Sequence, residues 1–269
     1  MRVERLGDGD PEVAAVGAVH GDEPCGARAI ERFLAEGPTD RVRRPAVLVV
    51  ANERALAAGE RYVEADLNRV FPGDPEGDTH EERLAHRLLS EAGEAFTLGI
   101  HSTVSTTEPF GTLANLTPEK ARVMQALPLT HAADFTGVVE GRSVTLPRFV
   151  NVEAGNQGTD AAAEDAYACL LAYLREMDVL PGDPDPTPTT LYRVSNIVRK
   201  ESGRKYRIER ENFQRVPAGE VYARSLDGEH VLRAQGDVWP VLMSAGGHET
   251  LLGYTATEAV DIETAWDSG

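Results

Sequence analysis

A chain of 269 residues with 41% apolar content is long enough to bury a sizeable core and reads as globular, not disordered. Its formal net charge of -17 excludes the basic footprint that nucleic-acid binding needs. No apolar run reaches the roughly 18 residues of a membrane span and no apolar leader follows Met1, so a cytoplasmic protein without membrane contact is expected.

Only Lys120, Lys200 and Lys205 are lysines, and this acidic, lysine-poor composition resembles that of halophilic proteins from a salt-rich cytoplasm. Cys25 and Cys169 give no disulfide framework and read as small buried apolar residues.

In chain order, Glu12 to Val19 is predicted as a buried strand from its nearly continuous apolar run. A helix follows, with Pro24 at its first position and a stripe of Ile30, Phe33 and Leu34. Pro45 to Ala51 is a second all-apolar strand, and residues 61–73 read as a polar loop. His80 to Ala92 is predicted helical, Phe96 to Ile100 and Arg148 to Val152 are short strands, and Asp160 to Met177 is a helix. Strands separated by helices predict an α/β protein whose mixed or largely parallel sheet is covered on both faces. Pro181-Gly182-Asp183-Pro184-Asp185-Pro186-Thr187-Pro188 reads as a stiff linker. Beyond it come Leu191 to Val198, Tyr206 to Phe213, Val221 to Arg224, Val238 to Met243 and Thr250 to Thr255, strand patterns separated by glycine turns. The expected division is a larger domain over 1–182, a linker over 181–190, and a small all-β domain over 190–269.

The chemistry concentrates after the buried strands. His20-Gly21-Asp22-Glu23 follows the first, and His101-Ser102-Thr103 follows the strand ending at Ile100. Sites in open α/β sheets form beyond the carboxyl ends of strands. Two histidines and a glutamate, with a fourth position left for water, form a known catalytic zinc set. By itself a His-x-x-Glu is a weak signal, and a lone histidine after a strand more often caps or packs. Glu153 ends an apolar strand, Phe149-Val150-Asn151-Val152, where a carboxylate needs a reason. Capping a turn or pairing with Arg148 would be the structural one.

Four segments carry a resemblance. Gly17-Ala18-Val19-His20-Gly21-Asp22-Glu23-Pro24-Cys25-Gly26, Asp66-Leu67-Asn68-Arg69-Val70-Phe71-Pro72-Gly73, His101-Ser102-Thr103 and Val152-Glu153-Ala154-Gly155 resemble the successive signatures of the aspartoacylase and succinylglutamate desuccinylase family. That family belongs to the zinc carboxypeptidase fold group, and the matches fall in order across residues 13–158. The resemblance implies one zinc per chain on His20, Glu23 and His101, with Glu153 as general base. It implies that Arg61 stabilises the oxyanion of the scissile carbonyl, and that Asn68 and Arg69 grip a substrate carboxylate. Arg142 resembles a second carboxylate-binding arginine, through a one-residue shift in alignment. Asp66 and Ser102 are implied as supports.

The activity so implied is hydrolysis, by zinc-activated water, of the amide or ester bond of a small N-acyl amino acid or similar carboxylate. A zinc carboxypeptidase acting on short peptides and a metal-binding module without turnover are the rival readings. The sequence leaves open the acyl group, the oligomeric state, and whether His248 or Tyr254 takes the place of the tyrosine that completes the pocket in animal aspartoacylases.

Overall fold

The computed structural model describes residues 1–138, 141–247 and 249–265. The first strands are β1 (Arg2–Leu6), β2 (Val13–Gly17), β3 (Ala46–Val50) and β4 (Phe96–Thr103). Next come β5 (Phe110–Leu113), β6 (His131–Asp134) and β7 (Phe149–Asn156). After the proline-rich segment follow β8 (Thr190–Arg199), β9 (Tyr206–Ile208), β10 (Val221–Ser225), β11 (Val231–Arg233), β12 (Trp239–Val241) and β13 (Leu251–Asp261). The helices are α1 (Cys25–Glu36), α2 (Glu53–Ala58), α3 (Leu67–Val70), α4 (His80–Ala92), α5 (Pro118–Ala126), α6 (Asp160–Glu176) and α7 (Ile262–Ala265). None of them is long and apolar enough to cross a membrane.

One ten-stranded mixed sheet has the order β1-β3-β2-β4-β7-β5-β6-β8-β13-β12. Its centre, β3-β2-β4-β7, is parallel. The sequences there, VAAVG and AVLVV, are fully buried because both faces are covered. Val13, Ala15 and Leu48 pack on one side with Ile30 and Phe33 of α1 and Leu170 and Leu174 of α6. Ala14, Val16, Val47 and Val49 pack on the other with Leu84 and Leu88 of α4. This alternation is the two-residue period of a strand serving two cores. Each buried leucine or valine contributes about 1.5–3 kcal/mol over exposure. Cys25 and Cys169 are buried and unpaired, as small apolar residues would be.

From β2 the chain crosses to β3 on one side, then returns to β4 on the other side of β2. The loops after β2 and β4 therefore diverge and open a crevice at the carboxyl edge of the sheet.

The strands after residue 190 are not a sheet apart. β8 pairs in parallel with β6, and β13 and β12 continue the same sheet, while β9, β10 and β11 form a separate three-stranded antiparallel sheet. The strand expected over Tyr206 to Phe213 stops at Ile208. Eight of these strands and helices, β1, α2, α3, β5, α5, β6, β11 and α7, lie where no regular structure was expected.

Candidate active site

β2 delivers His20 through Ala18, which takes a left-handed backbone (φ 52) and accepts from the Asn52 backbone N–H at 2.9 Å. Gly21 packs where no side chain fits, since a Cβ would lie 2.1 Å from the Ala55 carbonyl carbon. Its N–H donates to the Arg61 carbonyl at 3.1 Å, tying the turn to the polar segment that follows α2.

His20, Glu23 and His101 converge, with one ligand atom from each within 4.8 Å of the others, and all three are buried. The Glu23 carboxylate bridges the rings, Oε1 lying 2.7 Å from His20 Nδ1 and Oε2 lying 2.9 Å from His101 Nδ1. The Ser102 N–H donates to Glu23 Oε2 at 3.3 Å. His101 Nε2 is buried without a partner. His20 Nε2 lies 3.1 Å from Asp66 Oδ1. With Nε2–H donated to Asp66, Nδ1 is the nitrogen turned toward Glu23, and its lone pair would serve a metal once its proton is lost. The Arg61 Nη2 contact with the same nitrogen, at 2.9 Å, is then an approach of two donors and not a hydrogen bond.

Charge follows this packing. Burial opposes protonation of His20, but Glu23 and Asp66 outweigh it and raise its pKa to about 9. Burial opposes ionisation of Glu23, yet the two histidines hold its carboxyl well below the usual range. Glu153 is pushed the other way, up to about 7, by burial first, with His101 drawing it down and Glu23 pushing it up.

Glu153 stands on β7 in direct register with His101 on β4. It is not held by Arg148, which pairs with Glu119 at 2.9 Å. Arg61 bonds Asp66 Oδ2 (3.1 Å) and Glu23 Oε1 (3.3 Å), so two carboxylates aim it. The segment carrying Arg61 and Asp66 is in turn fixed from α4. The fully buried Glu81 accepts from the backbone N–H groups of Val63 (2.7 Å), Glu64 (3.1 Å) and Ala65 (3.0 Å), and from Asn52 Nδ2 (3.0 Å).

A cavity of about 370 Å³ gathers His20, Glu23, His101, Arg61, Glu153, Asn68 and Arg69 in one wall system, the size of a small-molecule site. Arg69 has no ion pair among the described residues. Arg142 does not join them: its side chain is exposed and outside the lining, and its backbone N–H donates to the Asn68 carbonyl at 2.8 Å. Tyr254 lines the cavity, whereas His248 lies outside the described residues. Glu81, Thr112, Asn151, Phe135 and Leu251 went unremarked in the sequence. Only Glu81 left a signal there, as an acidic residue beside a helix start.

A model of the succinylglutamate desuccinylase/aspartoacylase catalytic domain matches residues 9–159. The N-acyl-aromatic-L-amino acid amidohydrolase (carboxylate-forming) of Rattus norvegicus is 34% identical over 112 residues, 35% of this chain and 34% of that protein. Succinylglutamate desuccinylase of Pseudomonas aeruginosa is 28% identical over 109 residues, 35% of this chain and 33% of that protein. These alignments span about a third of the relatives' length. The product-bound structure of the ectoine utilization protein from Ruegeria pomeroyi superposes with a TM-score of 0.78 at 22% identity, over 96% of this chain and 88% of that one. That likeness is one of fold, and it is the fold expected from the four signatures. The family match takes in more than half of the chain, which therefore belongs to the succinylglutamate desuccinylase/aspartoacylase family.

Proposed function

We propose that this protein is a zinc-dependent amidohydrolase that releases the acyl group of a small N-acyl amino acid. The observation that carries the reading is one cavity lined by a buried two-histidine, one-glutamate set, a carboxylate in register with it, and two arginines in different states of pairing. The donor set fits zinc: two imidazole nitrogens and a carboxylate, buried, with His20 backed by Asp66. Zinc held by these residues supplies a Lewis acid that polarises a carbonyl and lowers the pKa of water to about 7.

The remaining work falls to the chain. Glu153 takes a proton from the attacking water at its carboxylate and returns it to the leaving amine. Arg61, aimed by Asp66 and Glu23, donates to the scissile carbonyl oxygen as negative charge builds there. Arg69, with its guanidinium unpaired, and Asn68 beside it hold the substrate carboxylate by a planar fork and an amide. Arg142 contributes through the backbone bond that fixes Asn68. The acidic, lysine-poor composition supports a salt-rich cytoplasm as the setting.

Elemental analysis of protein purified without chelator is expected to find one zinc per chain. A His101→Ala variant that keeps its full zinc complement would remove the assignment. Glu153→Gln is expected to lose kcat by roughly 10²–10⁴-fold, the usual worth of a general base, with zinc content and melting temperature nearly unchanged. Turnover of dipeptides but not of N-acyl amino acids would favour the carboxypeptidase reading, and no turnover by zinc-loaded protein the binding module.

A further inference from the structure

The cavity continues past Glu153 along the sheet. Asn151 precedes Glu153 by two residues on β7 and shares its face. In register it stands beside Gly99 of β4 and Thr112 of β5. Gly99 makes room for it: a Cβ there would lie 2.1 Å from Asn151 Oδ1. Asn151 Nδ2 donates to Ser143 Oγ at 3.2 Å, and the Ser143 N–H donates to Asn68 Oδ1 at 2.9 Å. A neutral polar strip thus runs from the carboxylate clamp at Asn68 through Ser143 and Asn151 to Thr112.

Two groups on this strip have no protein partner among the described residues, and one of them, Asn151 Oδ1, is fully buried. Thr112 is 4% exposed and lines the cavity, and its hydroxyl has no hydrogen-bond partner among the described residues. Asn151 is 2% exposed and also lines the cavity, and its Oδ1 is unpartnered. A buried polar group left unpaired costs about 1–3 kcal/mol, which a ligand group can recover. Phe135, Val144 and Leu251 add apolar surface to the lining, and Tyr254 an aromatic ring.

No cation among the described residues belongs to the strip. Arg61 and Arg69 are the arginines of the described lining, Arg61 is already engaged by Glu23 and Asp66, and Arg142 stays outside. Asp22, Glu23 and Glu153 add negative charge to the same wall. A second carboxylate would be buried among neutral groups without a partner, which is costly, whereas an amide would be met by a hydroxyl and an amide.

Resting on the deacylase reading, we infer that Thr112 and Asn151 form a subsite for an uncharged hydrogen-bonding group. The substrate is then a monocarboxylate N-acyl amino acid whose far end is neutral, a carboxamide fitting best.

N-acetyl-L-glutamine and N-acetyl-L-glutamate test this, because they differ in charge and hardly in shape. Binding of each to zinc-loaded Glu153→Gln protein by calorimetry is expected to favour the glutamine compound at least tenfold. The substitution removes a negative charge and so biases against that result. Thr112→Val, nearly isosteric, is expected to cut the preference at least threefold with an unchanged melting temperature. Equal or tighter binding of N-acetylglutamate, no binding of either at about 10 mM, or a Thr112→Val variant with the preference intact would each overturn the subsite. Preferential binding of the glutamine compound with no turnover by wild-type protein would support the subsite and sink the deacylase reading.

Discussion

Arg61 and Arg69 face one cavity and differ in what surrounds them. Arg61 is bound by Asp66 and Glu23, so its charge is committed to the site's own framework, whereas Arg69 has no ion pair among the described residues. A free guanidinium beside an amide at Asn68 suits a carboxylate, and lysine cannot offer the same paired hydrogen bonds. Arg69→Lys is therefore expected to lower kcat/KM about tenfold or more, chiefly through KM, although the charge is kept. Unchanged kinetics in steady-state assays would contradict the clamp. His20, Glu23 and His101 stood out in the sequence because they follow apolar runs within segments that resemble the family's signatures; a histidine after a strand would by itself more often cap or pack. Asn151 and Thr112 were not. A polar residue within a strand ordinarily marks a solvent-facing side, and only the register with Gly99 shows that these two face a cavity.

Helix α4 supports the site without touching it. Thr79 and Glu82 form a reciprocal capping box that fixes where the helix begins. The next residue back, Glu81, points its carboxylate at three consecutive backbone N–H groups of the segment between Arg61 and Asp66. Burial pushes the Glu81 carboxyl up, but the N–H of Val63 and its other donors prevail and hold it below its ordinary value. A carboxyl depressed in the folded state stabilises the fold above its unfolded pKa of about 4.3 and loses that contribution as pH falls below it. Glu81→Gln swaps one acceptor oxygen for a donor that faces other donors. It is expected to cost about 1–3 kcal/mol, to flatten the acid limb of stability against pH, and to lower kcat more than tenfold with zinc retained. Normal kcat and an unchanged acid limb in thermal melts would show that the segment holds itself. The amphipathic stripe of α4 made its span readable in the sequence to the residue. The β5-α5-β6 stretch was not readable, although Thr117 and Pro118 signal a helix start. Its strands are four residues long, and α5 buries Lys120, whose Nζ donates to the Ala114 carbonyl at 2.6 Å, so no polar face stands out.

Across the whole molecule, the proline-rich segment is a boundary in composition that the sheet runs straight through. β8 pairs with β6 from His131–Thr190 to Asp134–Arg193, and β13 pairs along nearly all of β8. Side chains interlock over the same line: Phe135 meets Tyr254 edge-on at 5.0 Å, and Phe110 meets Phe213 at 5.0 Å. Asn212 donates from Nδ2 to the Ser105 carbonyl at 2.8 Å and accepts from the Met243 N–H at 2.8 Å, joining loops from both sides. Leu242, Ser244, Leu251 and Tyr254 then close the cavity from the C-terminal half. The change in pattern after residue 190 was visible because glycine turns replace helices, but strand partners are chosen by contacts far apart in sequence, which local patterning does not encode. A fragment of residues 1–182 would leave β6 as an open edge and uncover the faces of Phe110, Ala133 and Phe135 that now pack on Tyr192, Phe213, Val241 and Tyr254. An exposed apolar edge strand invites pairing with other chains. The fragment is expected to aggregate or to melt without a cooperative transition, and to bind no N-acyl amino acid. A monomeric 1–182 fragment that melts cooperatively near the full chain's temperature would instead make residues 181–190 a true domain boundary, with the C-terminal strands as an addition to a self-sufficient core.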